Sequence, residues 1–308
     1  MAVRKADKAG SWYQAAPADL RKEVDDCVKR GVRLYGRPAV EPGLKTTAVV
    51  VPHAGLFFSG PVAAVAFELL REAWGTIDTF VLFGACHRAF IREPALWTKG
   101  AWRTPLGDIA VDDALAKRFV DEGLGRDNPA AHAGDNSLEL QTPFIKHMFP
   151  EAKILPVAMS FFPNSSQFGE VASRVARDSG RTVVAVASTD LTHYGATFGL
   201  TPAGIGDSAI EWTQANDKRF IDTLLRLDLD QIVPQAELEQ SACGAGAAAA
   251  AAGWAHERGC RKGRLLAATN SYEVYPRGAP DHLVGYASLA YDVAPGQLSA
   301  AGKRNAAC

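Results

Sequence analysis

Three short runs in this chain are apolar at almost every position, and each breaks off into a loop carrying a histidine. Residues 46–51 (TTAVVV) lead into Pro52-His53-Ala54-Gly55, and residues 79–83 (TFVLF) into Gly84-Ala85-Cys86-His87. Residues 182–187 (TVVAVA) lead into Ser188-Thr189-Asp190-Leu191-Thr192-His193. A strand with one wet face alternates apolar and polar residues, whereas an unbroken apolar run suits a strand covered on both faces. Helical patterns separate these runs. Pro17 opens one with an apolar stripe at Leu20, Val24 and Val28, and Ser59 with Pro61 opens another running to Trp74. Asp112 caps a short helix ending before Gly123, Asn164 caps one through Asp178, and residues 207–227 form a long amphipathic helix. Later strands are expected at 265–269 and 284–291. Strands and helices alternating in this way predict an α/β fold: a single domain with a mainly parallel or mixed central sheet flanked by helices.

The sequence has no internal repeat and no linker between compact halves. The domain is expected to cover residues 1–294, and the Ala-, Gly- and Ser-rich segment 295–308 is expected to be a flexible tail. Thirty-three Lys and Arg balance 34 Asp and Glu, with no basic cluster, so no nucleic-acid partner is expected. The first ten residues lack an apolar stretch, so no secretory signal is expected. The alanine-rich stretch 242–255 is too short and too weakly hydrophobic for a bilayer, and no membrane association is expected. Cysteines at 27, 86, 243, 260 and 308 show no pairing rhythm, which reads as reduced thiols of a cytoplasmic protein.

Ligands of open α/β sheets bind beyond the carboxyl ends of the strands. His53, His87 and His193 are delivered to that edge by three separate strands, with Asp190 three residues before His193. Each alone is also consistent with a hydrogen-bonded histidine at a strand end, but three in one context point to a built site. His132, His147, His256 and His282 lack the pattern, and His147 and His256 read as solvated helix residues. Cys243, in Ser-Ala-Cys-Gly-Ala-Gly, immediately precedes an alanine-rich helix running to about Glu257. The positive end of that helix would favour a thiolate able to bind a metal or attack an electrophile. A small apolar residue at a crowded helix start is the plainer reading, and local sequence leaves both open.

Taken together, the motifs resemble the Memo family, whose bacterial and archaeal members are called AmmeMemoRadiSam system protein B. They are Ala-Gly-Ser-Trp-Tyr (9–13), Pro-His-Ala-Gly (52–55), Gly-x-x-His (84–87) and Trp-x-Thr-Pro-Leu-Gly (102–107). Asn-Ser-Leu-Glu-Leu-Gln-x-Pro (136–143), Ser-Thr-Asp-Leu-Thr-His-Tyr-Gly (188–195) and Ala-Cys-Gly (242–244) follow in the family's order. The resemblance implies a fold similar to that of class III extradiol dioxygenases. It also implies a mononuclear iron(II) held by His53, His87 and Cys243, with copper as an alternative because thiolate is softer than carboxylate. It places His193 as acid/base, Asp190 as its orienting partner, and Trp12, Phe58, Tyr194 and Glu139 around the substrate pocket. It further implies a small catechol-like aromatic substrate with O2, and radical-SAM and Ammecr-like protein partners. Two imidazoles and one anion form a facial set with open positions, which suits that chemistry.

The chain departs from the family pattern where Asn136 and Gln141 stand in place of histidines, and where Phe58 stands in place of a tyrosine. Amides hydrogen-bond but do not shuttle protons, which puts any relay through that segment in doubt. Two other functions stay open on sequence grounds. One is a non-catalytic metal- or peptide-binding protein in redox or signalling roles. The other is a hydrolase with Cys243 as nucleophile, His193 as base and Asp190 as orienter, which would leave His53 and His87 without roles.

Overall fold

A computed structural model describes residues 2–299. Among these residues a mixed sheet of nine strands forms the centre of an α/β domain. Its middle is parallel, in the spatial order β2 (Lys45–Val51), β9 (Val183–Ser188), β3 (Thr79–Ala85) and β8 (Lys153–Met159). Beside β2 runs the antiparallel β12 (His282–Val293), which also pairs with β10 (His193–Gly195) and β11 (Arg264–Asn270). Beyond β8 the sheet ends in the short strands β4 (Ala95–Leu96) and β7 (Arg126–Asp127). A separate three-stranded sheet joins β1 (Val3–Arg4) to β5 (Ala101–Thr104) and β6 (Gly107–Ala110).

The unbroken apolar runs are explained by two cores, one on each face. Val49, Val51, Phe80, Leu82, Val184 and Val186 point into one core, covered by α1 (Pro17–Tyr35), α2 (Leu56–Trp74) and α4 (Thr142–Met148). Their neighbours Ala48, Val50, Val81, Phe83, Ala185 and Ala187 point into the other. That face is covered by α3 (Asp113–Asp121), α5 (Ser165–Arg177), α6 (Asp207–Arg226), α7 (Ile232–Glu239) and α8 (Ala245–Glu257). Since successive strand side chains alternate faces, both sets must be apolar when both faces are covered. Helices α5 and α8 make the closest helix pair. Gly169 lies on the Ala250 carbonyl and Gly253 on the Ser166 carbonyl, so close that a methyl group at either glycine would overlap the opposing backbone. The alanines of α8 bring its axis near β2, β3 and β9, and fix where its N-terminus meets the sheet edge.

Some boundaries differ from expectation. Helix α2 begins at Leu56, so Pro61 lies inside it rather than at its start. The first turn is set by a tertiary contact, in which the Leu56 N–H donates to the Trp12 carbonyl at 2.9 Å. Asp112 caps α3 by accepting from Leu115 N–H, whereas Asn164 precedes α5 without a side-chain cap bond. The segment expected to be flexible from 295 starts as a helical turn, α10 (Pro295–Ser299), because Pro295 pre-sets the first position and Leu298 packs against the core. Residues 300–308 of that tail lie outside the described residues. A further short helix, α9 (Ser271–Val274), follows β11. No helix among the described residues is long and apolar enough to cross a membrane.

Candidate metal centre

Because β2, β3 and β9 are parallel, their carboxyl ends share one edge, and the residues just past them meet there. His53 follows β2, His87 follows β3, and Asp190 follows β9. Cys243 arrives from the other direction, two residues before α8. One ligand atom from each of His53, His87 and Cys243 lies within 4.8 Å of the others. The Cys243 Sγ is 3.2 Å from His53 Nε2, and the two imidazole centroids are 5.2 Å apart at an interplanar angle of 74°. Donors at about 2.1 Å (nitrogen) and 2.3 Å (sulfur) from one ion, subtending roughly a right angle, would be about 3.1 Å apart. The observed sulfur–nitrogen separation therefore fits a shared ion without rearrangement.

Both rings are held by the nitrogen that faces away from the sulfur. Ser188 Oγ donates to the Ser137 carbonyl at 2.7 Å and accepts from Gln141 Nε2 at 2.9 Å. With its proton committed, this hydroxyl can only accept from His53 Nδ1, 3.1 Å away. The network thus keeps a proton on His53 Nδ1 and leaves Nε2 as the nitrogen that faces Cys243. His87 is fixed by Asp135, which accepts from its backbone N–H at 2.7 Å and lies 3.4 Å from its Nδ1. Asp190 Oδ1 accepts the His53 backbone N–H at 2.7 Å, and its carbonyl accepts the Cys243 N–H at 3.3 Å. Gly244 lets that loop close, because a Cβ there would stand 2.8 Å from the Ser188 carbonyl oxygen.

The electrostatics follow from this crowding. Burial opposes a thiolate at Cys243, but the His53 and His87 rings outweigh it and hold the thiol well below its ordinary range. Burial likewise opposes charge on His87, yet hydrogen bonds to Asp135 and Cys243 raise it to about 10. Asp135, despite burial, is drawn down to about 2 by His87. A deprotonated sulfur between two imidazoles provides an anionic, partly soft donor set for a cation.

His193 stands beside the cluster, not in it. Its Nδ1 donates to the Leu191 carbonyl at 3.0 Å, which leaves Nε2 as the free acceptor. His193 and Cys243 line one cleft of about 560 Å³ together with Ser160, Phe161, Phe198 and Gln240. The Phe198 ring packs edge-on to His193 at 4.9 Å between centroids. The expected hydrogen bond from the His193 ring to Asp190 is not made: Asp190 is buried and holds the His53 backbone, and the Leu191 carbonyl sets the His193 ring instead. The sulfur, too, meets His53 rather than the base the hydrolase reading assigned to it.

None of the four expected pocket residues is among those lining the cleft. Tyr194, next to His193 on a strand, points to the opposite face, where its hydroxyl donates to Gly204 O at 2.7 Å. Glu139 is buried in an ion pair with Arg4 at 2.6 Å and accepts from the Tyr13 hydroxyl at 2.8 Å, anchoring the N-terminal segment. Phe58 packs with Val62, Ala267 and Tyr286. Trp12, 38% exposed, contributes its backbone carbonyl to the start of α2. Conversely, sequence reasoning missed Ser188, Asp135, Phe161, Phe198 and Gln240. The first two lie within motifs already singled out, but nothing local marked the loop aromatics. Gln141, flagged as a departure, turns out to fix the Ser188 hydroxyl, and Asn136 Nδ2 donates to the His53 carbonyl at 3.2 Å.

An α/β domain with a His-His-Cys cluster at the carboxyl edge of its parallel strands defines the class. The chain matches the family described as Memo-like protein over residues 4–290. It is 33% identical to a MEMO1 family protein of Methanopyrus kandleri, over 92% of this chain and 96% of that one. A MEMO1 family protein of Methanothermobacter thermautotrophicus is 32% identical over 93% of this chain and 99% of its own length. One from Pyrococcus horikoshii is 33% identical over 90% and 98%. The chain belongs to the Memo family.

Proposed function

We propose that this protein binds one non-haem iron through His53 Nε2, His87 Nε2 and Cys243 Sγ, and uses it to oxygenate a small catechol-like aromatic. The observation that supports this most is the orientation of the two rings. Each has its Nδ1 occupied by a neighbour, so each turns its other ring nitrogen toward a thiolate beside a cleft, where it would become a ligand once a metal displaced its proton. Iron(II) in that position would supply open coordination sites for a catecholate and O2, and the electrons for oxygen activation. The chain's own residues supply the rest. His193 Nε2, its ring fixed through Nδ1, would accept a proton from the substrate hydroxyl and later return it. Phe161 and Phe198 would flank an aromatic ring and exclude water. Copper is the competing ion because of the thiolate.

Elemental analysis of anaerobically reconstituted protein, followed by oxygen-uptake measurements with a catechol panel, tests this reading. His193→Ala should retain iron and lose uptake by about 10²-fold or more. Tight metal binding with no uptake from any catechol would leave a binding protein. Absence of metal, with alkylation of Cys243 abolishing an esterase or amidase activity, would leave a thiol hydrolase.

Asp135→Asn probes the outer imidazole. The amide keeps a similar shape but not the charge that orients His87, so affinity for iron(II) is expected to fall about 10–100-fold in a chelator competition. An unchanged affinity would mean that Asp135 serves only the loop.

A further inference from the structure

A second cavity, of about 430 Å³, lies between α6 and the β11–β12 pair, behind the loop that carries His193. Its walls are mostly apolar, with Ile221, Leu225, Leu265, Ala268 and Tyr286 among them. One buried carboxylate, Asp217, lines it. Thr192 attends Asp217, its N–H donating to Oδ1 at 3.0 Å, but no cationic side chain pairs with it among the described residues. The other charged groups on the wall are already engaged. Lys218 Nζ donates to Asp222 at 2.6 Å, while Glu273 accepts from Gln214 at 2.7 Å and from Thr269 at 2.6 Å. Three carboxylates therefore face a single ammonium that is itself paired.

A buried carboxylate without a cation is costly, because desolvation is not offset by an opposite charge. Here burial pushes Asp217 up to about 7. The Memo motifs give no role to this residue, and the proposed iron chemistry does not use it. A hard metal ion would need several converging oxygens, and the carboxylates of this cavity do not converge: among the described residues the one group of three or more His, Cys, Asp or Glu ligand atoms close enough to share an ion is His53, His87 and Cys243. A compact apolar body bearing one N–H-rich cation fits both features: the walls take the body, and Asp217 takes the charge.

We propose that this cavity is a binding site for a small organic ammonium ion, anchored by Asp217 and separate from the metal centre. The occupant is a primary or secondary amine with a ring or branched aliphatic body, its nitrogen against Asp217 and its body along Leu265 and Tyr286. The site does not depend on what the metal centre does, so its failure would leave the oxygenase reading untouched.

Calorimetric titration of the full-length protein near neutral pH with benzylamine, and with the uncharged benzyl alcohol of similar shape, tests this. Benzylamine is expected to bind at least about tenfold more tightly than the alcohol. Asp217→Asn, which removes the charge at constant shape, should erase that preference. Ala268→Phe, at an exposed β11 position on the cavity wall, should abolish binding of both probes and decides the matter if the Asp217 variant does not fold. Equal affinity for the two probes, binding of neither, or wild-type binding by Ala268→Phe would each overturn the proposal.

Discussion

Cys243→Ala is expected to lower the affinity for iron by at least about a hundredfold, and the protein should purify with little metal, while its melting temperature without metal stays close to that of the parent. The reasoning starts from what the sulfur contributes. It is the anionic member of the proposed donor set, and without it two neutral imidazoles face the ion alone. Loss of a group that merely orients a ligand weakens metal binding by about 10–100-fold, and loss of the ligand itself should exceed that. The fold should tolerate the change. The Cys243 backbone N–H still reaches the Asp190 carbonyl, and the thiol is only half-buried at the cleft. Metal content by elemental analysis, beside a thermal melt in chelator, reads both halves. Full metal occupancy in the alanine variant would remove the sulfur from the ligand set and, with it, the reading built on that set.

The second large effect falls far from the chemistry. Gly253→Ala is expected to destabilise the protein by about 2 kcal/mol, although alanine is the better helix former by roughly 1 kcal/mol. The added methyl would overlap the Ser166 carbonyl across the α5–α8 contact, and a backbone atom cannot rotate aside as a side chain does. Overpacking of this kind costs typically 1–3 kcal/mol and sometimes more, which outweighs the propensity gain. Gly296→Ala is the matched control, since a Cβ there meets nothing within 4 Å. It should be neutral or slightly stabilising. Denaturant melts of the two variants should separate clearly, and similar melts would mean that α5 and α8 can part at little cost. Because Cys243 lies two residues before α8, Gly253→Ala should also loosen metal binding, a link between packing and site that Gly296→Ala lacks.

The strands that build the candidate metal centre were legible because they are covered on both faces. Residues 46–51, 79–83 and 182–187 stand out as unbroken apolar runs, and the histidines after them are at the expected edge. Strand β8 is as buried as these, but Pro156 and its place behind the Asn136–Gln141 motif concealed it, and its pairing with β3 is fixed by tertiary contacts alone. Cys243 was legible only as a thiol at a helix start; what brings it to His53 is the close α5–α8 contact and Gly244, neither of which leaves a local periodicity. Two of the expected pocket residues are directed away from the cleft for a physical reason. Tyr194 adjoins His193 in sequence, but on a strand adjacency means opposite faces. Glu139 carries the right chemistry for a site, yet its charge is spent on Arg4. Asn136 and Gln141 looked like losses because only proton transfer was considered, whereas an amide that pins a hydroxyl can set a tautomer.

The two imidazoles are not equivalent. His53 is sealed in the interior and leans on a neutral hydroxyl, while the side chain of His87 is 33% exposed and leans on a carboxylate. An ion held between them would be bound by one enclosed ring and one that water can reach. Release or exchange would then begin at the outer ring, where water competes for the ion, while the inner ring and the sulfur kept their grip. The traffic of ions through the centre would be governed from the rim.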